Sequence, residues 1–308
     1  MQEFFEWGDK NLIKNMLLPT EENRKVHFDA FFEKDPTRDG FSLGKSILGR
    51  ELYCYKLGVG KRNILYVGAH HATEYITASL LISFIDFLSD KFTRIGSFCG
   101  IDATYLKEKF TFWIIPCVNP DGVELNLCGT GENPLSARQI RMNGGSPDFS
   151  EWNSNSRGVD LNHNYDAFFY EYKRKYENEM GIIAGRGLYS GEYPESEPEV
   201  RLIANFIRTM MPSLIISLHS QGEEIYFSPR TDKVRRMSER MARLTGYKPS
   251  EPSGSAEYGG MADYSGGVLK IPSFTVEVGK GKNPLPHEKF PEIDENIRKL
   301  LYLAPTLL

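Results

Sequence analysis

The sequence lacks most marks of the specialised protein classes. Its four cysteines, Cys54, Cys99, Cys117 and Cys128, form none of the close pairs that zinc knuckles or thioredoxin-like motifs require. Cys54 and Cys117 lie in largely apolar runs and read as buried free thiols, which fits a reducing compartment. The net charge of -4 gives no basic footprint, so nucleic acid is not an expected partner. There is no internal repeat, no low-complexity tract and no apolar run that reads as long enough to span a bilayer. The start, Met1-Gln2-Glu3-Phe4-Phe5-Glu6-Trp7, lacks a basic region followed by an apolar stretch, so no secretory signal is visible. The expected location is the cytoplasm, with export by another route left open.

What remains is an ordinary globular composition over 308 residues, with 40% hydrophobic and 25% charged content. Residues 1–40 read as a lead-in, with a short helix over 22–32 and a turn at 35–40, and residues 41–308 read as one domain. Gly49 turns a hairpin whose second arm is residues 52–57. Residues 75–92 carry apolar side chains at helical spacing, and residues 110–118 are almost continuously apolar, as in a strand covered on both sides. Ser196-Glu197-Pro198-Glu199 reads as a capping box opening a helix. A strand over 213–218 follows, then a charged helix over 231–244, a strand over 273–278 and a closing helix over 293–303. This alternation predicts an α/β fold with a mostly parallel mixed sheet and helices on both faces. Residues 126–156, rich in Gly, Asn, Ser and Pro, resist assignment and are expected to border the mouth of a site.

His71-Ala72-Thr73-Glu74 directly follows the strand-like run Ile64-Leu65-Tyr66-Val67-Gly68. Strand ends are where open α/β sheets place their sites. Imidazole and carboxylate are zinc donors, and a catalytic zinc takes three protein ligands with one position left for water. His219 closes a second strand-like run and is the third candidate. His70, its neighbour on an extended chain, is expected to face the other way. A lone His-x-x-Glu is weak evidence, because Glu74 also suits a helix start, where a negative charge meets the dipole.

In chain order stand His71-Ala72-Thr73-Glu74, Asn119-Pro120-Asp121-Gly122, Gly158-Val159-Asp160-Leu161-Asn162, Ser196-Glu197-Pro198-Glu199, His219 and Phe274-Thr275-Val276-Glu277. Together, from about Ser42 onward, they resemble the carboxypeptidase A-like zinc peptidases. The resemblance implies one Zn2+ held by His71, Glu74 and His219, with Glu277 as general base and Asp160 holding the ring of His71. An acid within the apolar strand is costly to bury unless it faces a polar cavity, which favours Glu277 over an edge-strand glutamate. Asn119-Pro120-Asp121-Gly122 is expected to shape its loop.

The departures carry the substrate argument. Carboxypeptidases of this family place an arginine where this chain has His163, after Asn162, and that arginine grips a free C-terminal carboxylate. Truncating one partner of such a buried charge pair costs about 2 to 5 kcal/mol, or roughly 30-fold to several thousand-fold. A branch lacking that arginine, with a segment similar to Thr275-Val276-Glu277-Val278-Gly279-Lys280-Gly281-Lys282-Asn283-Pro284-Leu285-Pro286, comprises bacterial γ-D-glutamyl-meso-diaminopimelate peptidases of peptidoglycan, and this chain looks like one of them. The partner is then a peptide or muropeptide, with His163 contacting a carboxylate or capping a loop. The basic residue that stabilises the oxyanion in related sequences is replaced by Asn153, leaving Arg157 as a substitute from the same loop. Tyr258 stands nearest the position of the family's mobile tyrosine. The alternatives are a carboxypeptidase or N-acyl amino acid hydrolase on the same scaffold, or a catalytically inactive zinc- or glycan-binding module.

Overall fold

A computed structural model of the chain describes residues 40–131 and 133–308. The expected helix over 22–32 lies outside them, as does the turn up to residue 39. Among the described residues eight strands build one sheet: β1 (Gly40–Lys45), β2 (Glu51–Leu57), β3 (Arg62–Val67), β6 (Phe110–Ile115), β7 (Leu214–His219), β8 (Glu224–Ser228), β9 (Lys248–Ser250) and β10 (Ser273–Glu277). The two-residue strands β4 (Ser97–Phe98) and β5 (Ile101–Asp102) pair separately. The order across the sheet is β1-β2-β6-β3-β7-β10-β8-β9. The central four strands, β6, β3, β7 and β10, run parallel. Antiparallel pairs flank them at β1/β2, β2/β6 and β10/β8.

Side-chain alternation along the central strands sorts the core into two layers. Ile64, Tyr66, Phe112, Ile114, Ile216 and Phe274 pack on one face against the helices Ile76–Arg94, Asp232–Thr245 and Phe290–Leu303. Leu65, Val67, Ile115 and Ile215 pack on the other face against the helix Pro198–Met210 through Val200, Ile203, Ala204 and Ile207. Both faces are therefore covered, as expected for a parallel centre. The hairpin expected at Gly49 is β1/β2, and that glycine sits at φ +87°.

Two sequence expectations change. Residues Ala72–Arg94 are long and apolar enough to cross a membrane by length and composition, contrary to the reading that no such run exists, yet 78% of that window is buried. The helix spends its apolar stripe on the sheet. The capping box does not form either: the helix starts at Pro198 with Glu197 as N-cap and no side-chain cap bond. Glu197 instead accepts from Ser196 Oγ, Asn155 and Arg157, and Ser196 Oγ accepts from Asn164 Nδ2.

The unassigned stretch holds the helix Ser136–Met142 and the end of the helix Pro120–Cys128. The second of these begins at the motif expected to shape a loop. Asn119 caps it by accepting from Gly122 N–H at 3.0 Å and donates to the His70 and Ser154 carbonyls at 3.0 and 3.2 Å. Asn119 thus ties the turn after β6 to the turn after β3, where the metal-ligand candidates begin.

Candidate metal centre

β3, β7 and β10 all run toward the same edge of the sheet, so their C-terminal ends meet there. Beyond β3 the chain turns through Gly68 to His71 and a single 3-10 turn, Ala72–Glu74. A Cβ at Gly68 would lie 2.8 Å from the Pro116 carbonyl oxygen, so only glycine lets β3 pass that close to its neighbour's turn. β7 ends on His219, and Glu277 is paired in register with it at the end of β10. Paired residues of neighbouring strands project from the same side of a sheet, so Glu277 stands beside the His219 position.

His71, Glu74 and His219 place one ligand atom each within 4.8 Å of one another. His71 Nδ1 lies 3.0 Å from Glu74 Oε1, His219 Nδ1 lies 3.0 Å from Glu74 Oε2, and the two Nδ1 atoms are 3.3 Å apart. Zinc bonds of about 2.0 to 2.2 Å in tetrahedral geometry give donor separations of about 3.3 to 3.6 Å. Lone pairs of two imidazoles and a carboxylate aimed at one another at these distances repel unless a cation lies between them. The donor set therefore fits a divalent ion.

The tautomer of one ligand is fixed. Asp160 Oδ1 lies 3.1 Å from His71 Nε2, so that nitrogen donates and Nδ1 keeps its lone pair for a metal. Asp160 is itself held, accepting from the Asn162 and Leu188 backbone N–H groups at 3.1 Å each. His219 differs: its buried Nε2 has no hydrogen-bond partner among the described residues. His70 is not one of the three ligand candidates but does not turn away as expected: its Nε2 lies 2.9 Å from the Tyr165 hydroxyl and its ring stacks on that of His219 with centroids 5.4 Å apart.

Charge follows the same arrangement. Burial pushes Glu74 and Asp160 toward the neutral acid, but the neighbouring imidazoles outweigh it and hold both carboxylates below their ordinary values. Burial disfavours a proton on His71, yet Glu74 and Asp160 together raise its affinity for one. A cation at Nδ1 answers that field in the proton's place. Glu277 is pushed upward by burial and by the Glu74 charge, with His71 opposing. The acid is thus electrostatically in touch with two of the three metal-ligand candidates, Glu74 and His71.

Beside this group opens a cavity of about 500 Å3 whose lining includes Thr73, Glu151, Asn153, Ser220, Lys282 and Asn283. Residues 126–156 border it, as expected, through Glu151 and Asn153. Asn153 Oδ1 accepts from Thr73 N–H at 3.3 Å and from the Thr73 hydroxyl.

The remaining sequence candidates do not line this cavity. Arg157 donates from Nε and Nη2 to both oxygens of Glu197 at 3.0 and 2.8 Å and lines a second cavity with Tyr189 and Tyr193. Its guanidinium is bound to that carboxylate, so the structure does not bring it to the metal group, where an oxyanion donor was expected. His163 donates from Nδ1 to the Tyr258 carbonyl at 2.9 Å and stacks on Tyr172 with centroids 4.1 Å apart. Through Nδ1 the ring caps a loop. Asn162 Oδ1 accepts from Met261 N–H at 3.1 Å. The Tyr258 ring packs against Phe168 and Tyr176, with the Lys175 ammonium 5.3 Å from its centroid.

Sequence reasoning missed Asn283. The structure places it against Ser220 and Glu74. The available signal was its place in the segment 275–286, which was read only as a family marker.

Comparison with known proteins agrees with this geometry. The profile of the zinc carboxypeptidase family matches residues 27–299. The chain is similar to the gamma-D-glutamyl-L-diamino acid endopeptidase 1 of Lysinibacillus sphaericus, 32% identical over 84% of this chain and 65% of that protein, so it spans slightly less than two thirds of that relative. In fold it is similar to bovine thrombin-activatable fibrinolysis inhibitor (TM-score 0.67, 20% identity, 96% of this chain and 98% of that one). It is also similar to the murein-tripeptide amidase of Escherichia coli O157 (TM-score 0.52, 18% identity, 90% and 94%). A mixed sheet that delivers a His-Glu-His group to one edge, matched along almost the whole described length, places the chain in the zinc carboxypeptidase family.

Proposed function

We propose that the chain is a zinc metallopeptidase that hydrolyses the γ-D-glutamyl-diaminopimelate amide of peptidoglycan stem peptides. One observation carries the choice of bond. The metal group is complete, while the position that grips a C-terminal carboxylate in carboxypeptidases holds a buried histidine spent on the Tyr258 carbonyl. A pocket without a cationic fork gives ordinary C-terminal residues no preferred anchor. The name of the Lysinibacillus relative points to the same class of bond.

In this reading His71, Glu74 and His219 hold the ion, and Asp160 keeps the His71 ring oriented. When bound, zinc polarises the scissile carbonyl and makes water acidic enough to be deprotonated near neutral pH. Glu277 takes that proton on its carboxylate as the oxygen adds to the carbonyl carbon. It then delivers the proton to the departing nitrogen as the C–N bond breaks, so water is consumed and a carboxylate and an amine are released. Asn153, at the cavity wall, presents an amide rather than a charged donor to the developing oxyanion.

The test is mass-spectrometric product analysis of a γ-D-glutamyl-diaminopimelate tripeptide beside a hippuryl-type substrate. Cleavage of the first only is expected. Release of C-terminal residues from ordinary peptides, with muropeptides untouched, would overturn the assignment.

A further inference from the structure

We propose that Asn283 is a positioning residue of the metal centre, fastening Glu74 to the loop that follows His219. Its Nδ2 donates to the Ser220 carbonyl at 2.6 Å, and its Oδ1 accepts from the Ser220 hydroxyl at 2.9 Å. The two side chains therefore lock each other through a closed pair of hydrogen bonds. The locked pair also meets both oxygens of Glu74: the Ser220 N–H donates to Oε2 at 3.2 Å, and Asn283 Nδ2 lies 3.5 Å from Oε1. The 3.5 Å contact is at the long limit of a hydrogen bond, so most of the influence of Asn283 passes through Ser220.

The centre needs such a device on this side. His71 is oriented by Asp160, whereas His219 Nε2 has no partner among the described residues. Ser220 follows His219 directly, so holding its peptide holds the end of β7 and the ligand on it. Glu74 comes from a different turn of the chain, and its carboxylate rotates freely unless donors fix its plane. Asn283, arriving on a third segment after β10, joins the two. This role concerns the ion alone and is independent of which amide the protein cleaves.

Three variants of the full chain test it: Asn283→Ala, Asn283→Asp and Ser220→Ala. The readouts are zinc affinity by competition with a chelator and the visible spectrum of the cobalt-substituted protein. Removing a partner of this kind typically weakens metal binding by roughly 10- to 100-fold, and that loss with an altered cobalt spectrum is expected for Asn283→Ala. Asn283→Asp keeps an acceptor for the Ser220 hydroxyl but removes the donor to the Ser220 carbonyl, so an altered cobalt spectrum is expected, with the added negative charge offsetting part of the loss in zinc affinity. Ser220→Ala deletes one hydroxyl and is expected to weaken zinc several-fold. Thermal unfolding of the metal-free proteins checks folding, and if the Asn283 variants do not fold, Ser220→Ala decides. Zinc affinity within twofold of the parent and an unchanged cobalt spectrum in the folded variants would overturn the proposal.

Discussion

Two of the clusters of buried carboxylates among the described residues differ in a way that shows what makes one of them a site. Under the β1/β2 hairpin, Asp121 accepts from the Ser46 hydroxyl, Leu48 N–H and the Arg50 guanidinium at 2.8, 2.8 and 2.9 Å. Nearby Glu199 accepts from Ile47 N–H at 3.2 Å. These are fixed donors, each pointing a hydrogen at a carboxylate, and together they pin the hairpin to the helices Pro120–Cys128 and Pro198–Met210. At the sheet edge, by contrast, Glu74 faces two imidazole nitrogens whose lone pairs converge with its own. Burial is common to both clusters. At the first, Glu199 Oε2 has no partner among the described residues and a single proton on that carboxyl answers it; at the second, two imidazole nitrogens and a carboxylate converge, and that deficit is what a cation fills.

The largest test of the contrast is Glu277→Gln. The variant keeps the shape and the three ligand candidates but cannot accept a proton, so turnover is expected to fall by roughly 10^2- to 10^4-fold with one zinc per chain retained. Steady-state kinetics with metal analysis checks both halves. A rate near that of the parent would remove Glu277 from the chemistry and leave the sheet edge a binding site only.

The hairpin cluster has a distinct signature in stability. Burial pushes Glu199 up to about 8, with the Asp121 charge adding to the effect. Unfolded, the same carboxyl ionises near the ordinary value of about 4.3. Between those two values the folded chain holds a proton that the unfolded chain has released, so stability from this group is present at low pH and falls as pH rises through the window. Glu199→Gln removes the titration. From pH 5 to pH 8 the stability difference is expected to move in favour of the variant by on the order of 2 to 4 kcal/mol, read from denaturant unfolding at each pH. A pH-independent difference would mean that Glu199 is ionised in the folded chain.

The parts of this comparison differ in how legible they were. Strands such as 64–67 and 214–218, helices at 76–94 and 198–210, and the His71, Glu74 and His219 group follow from apolar periodicity and from ligands placed at strand ends. Periodicity survives folding because burial on one face enforces it. The placement of Arg157 and His163 was not legible. Both lie in irregular loops, where side-chain direction depends on partners such as Glu197 and Tyr258, distant in sequence and without any periodic mark. Ser196-Glu197-Pro198-Glu199 misled for the same reason: its local capping pattern lost to longer-range claims on Ser196 and Glu197 by Asn164, Asn155 and Arg157.

Asp160→Asn sharpens the contrast from within the metal centre. The amide keeps an oxygen near His71 Nε2 but loses the charge that supports the ring as a ligand. Zinc affinity is expected to fall by roughly 10- to 100-fold, measured by chelator competition. An unchanged affinity would mean that backbone geometry alone sets the His71 ring.

Arg157→Ala carries the smallest expected effect on rate and separates the two regions most cleanly. If its guanidinium belongs to Glu197, as its two bonds indicate, removing it strips a buried carboxylate of charged donors and leaves the metal cleft untouched. A loss of about 1 to 2 kcal/mol in stability is then expected, modest because the arginine is itself partly exposed to solvent. The rate constant for turnover should stay within about threefold of the parent, well short of the roughly 10^2- to 10^3-fold drop that loss of an oxyanion donor brings. A drop of that larger size with stability unchanged would mean that substrate draws Arg157 away from Glu197.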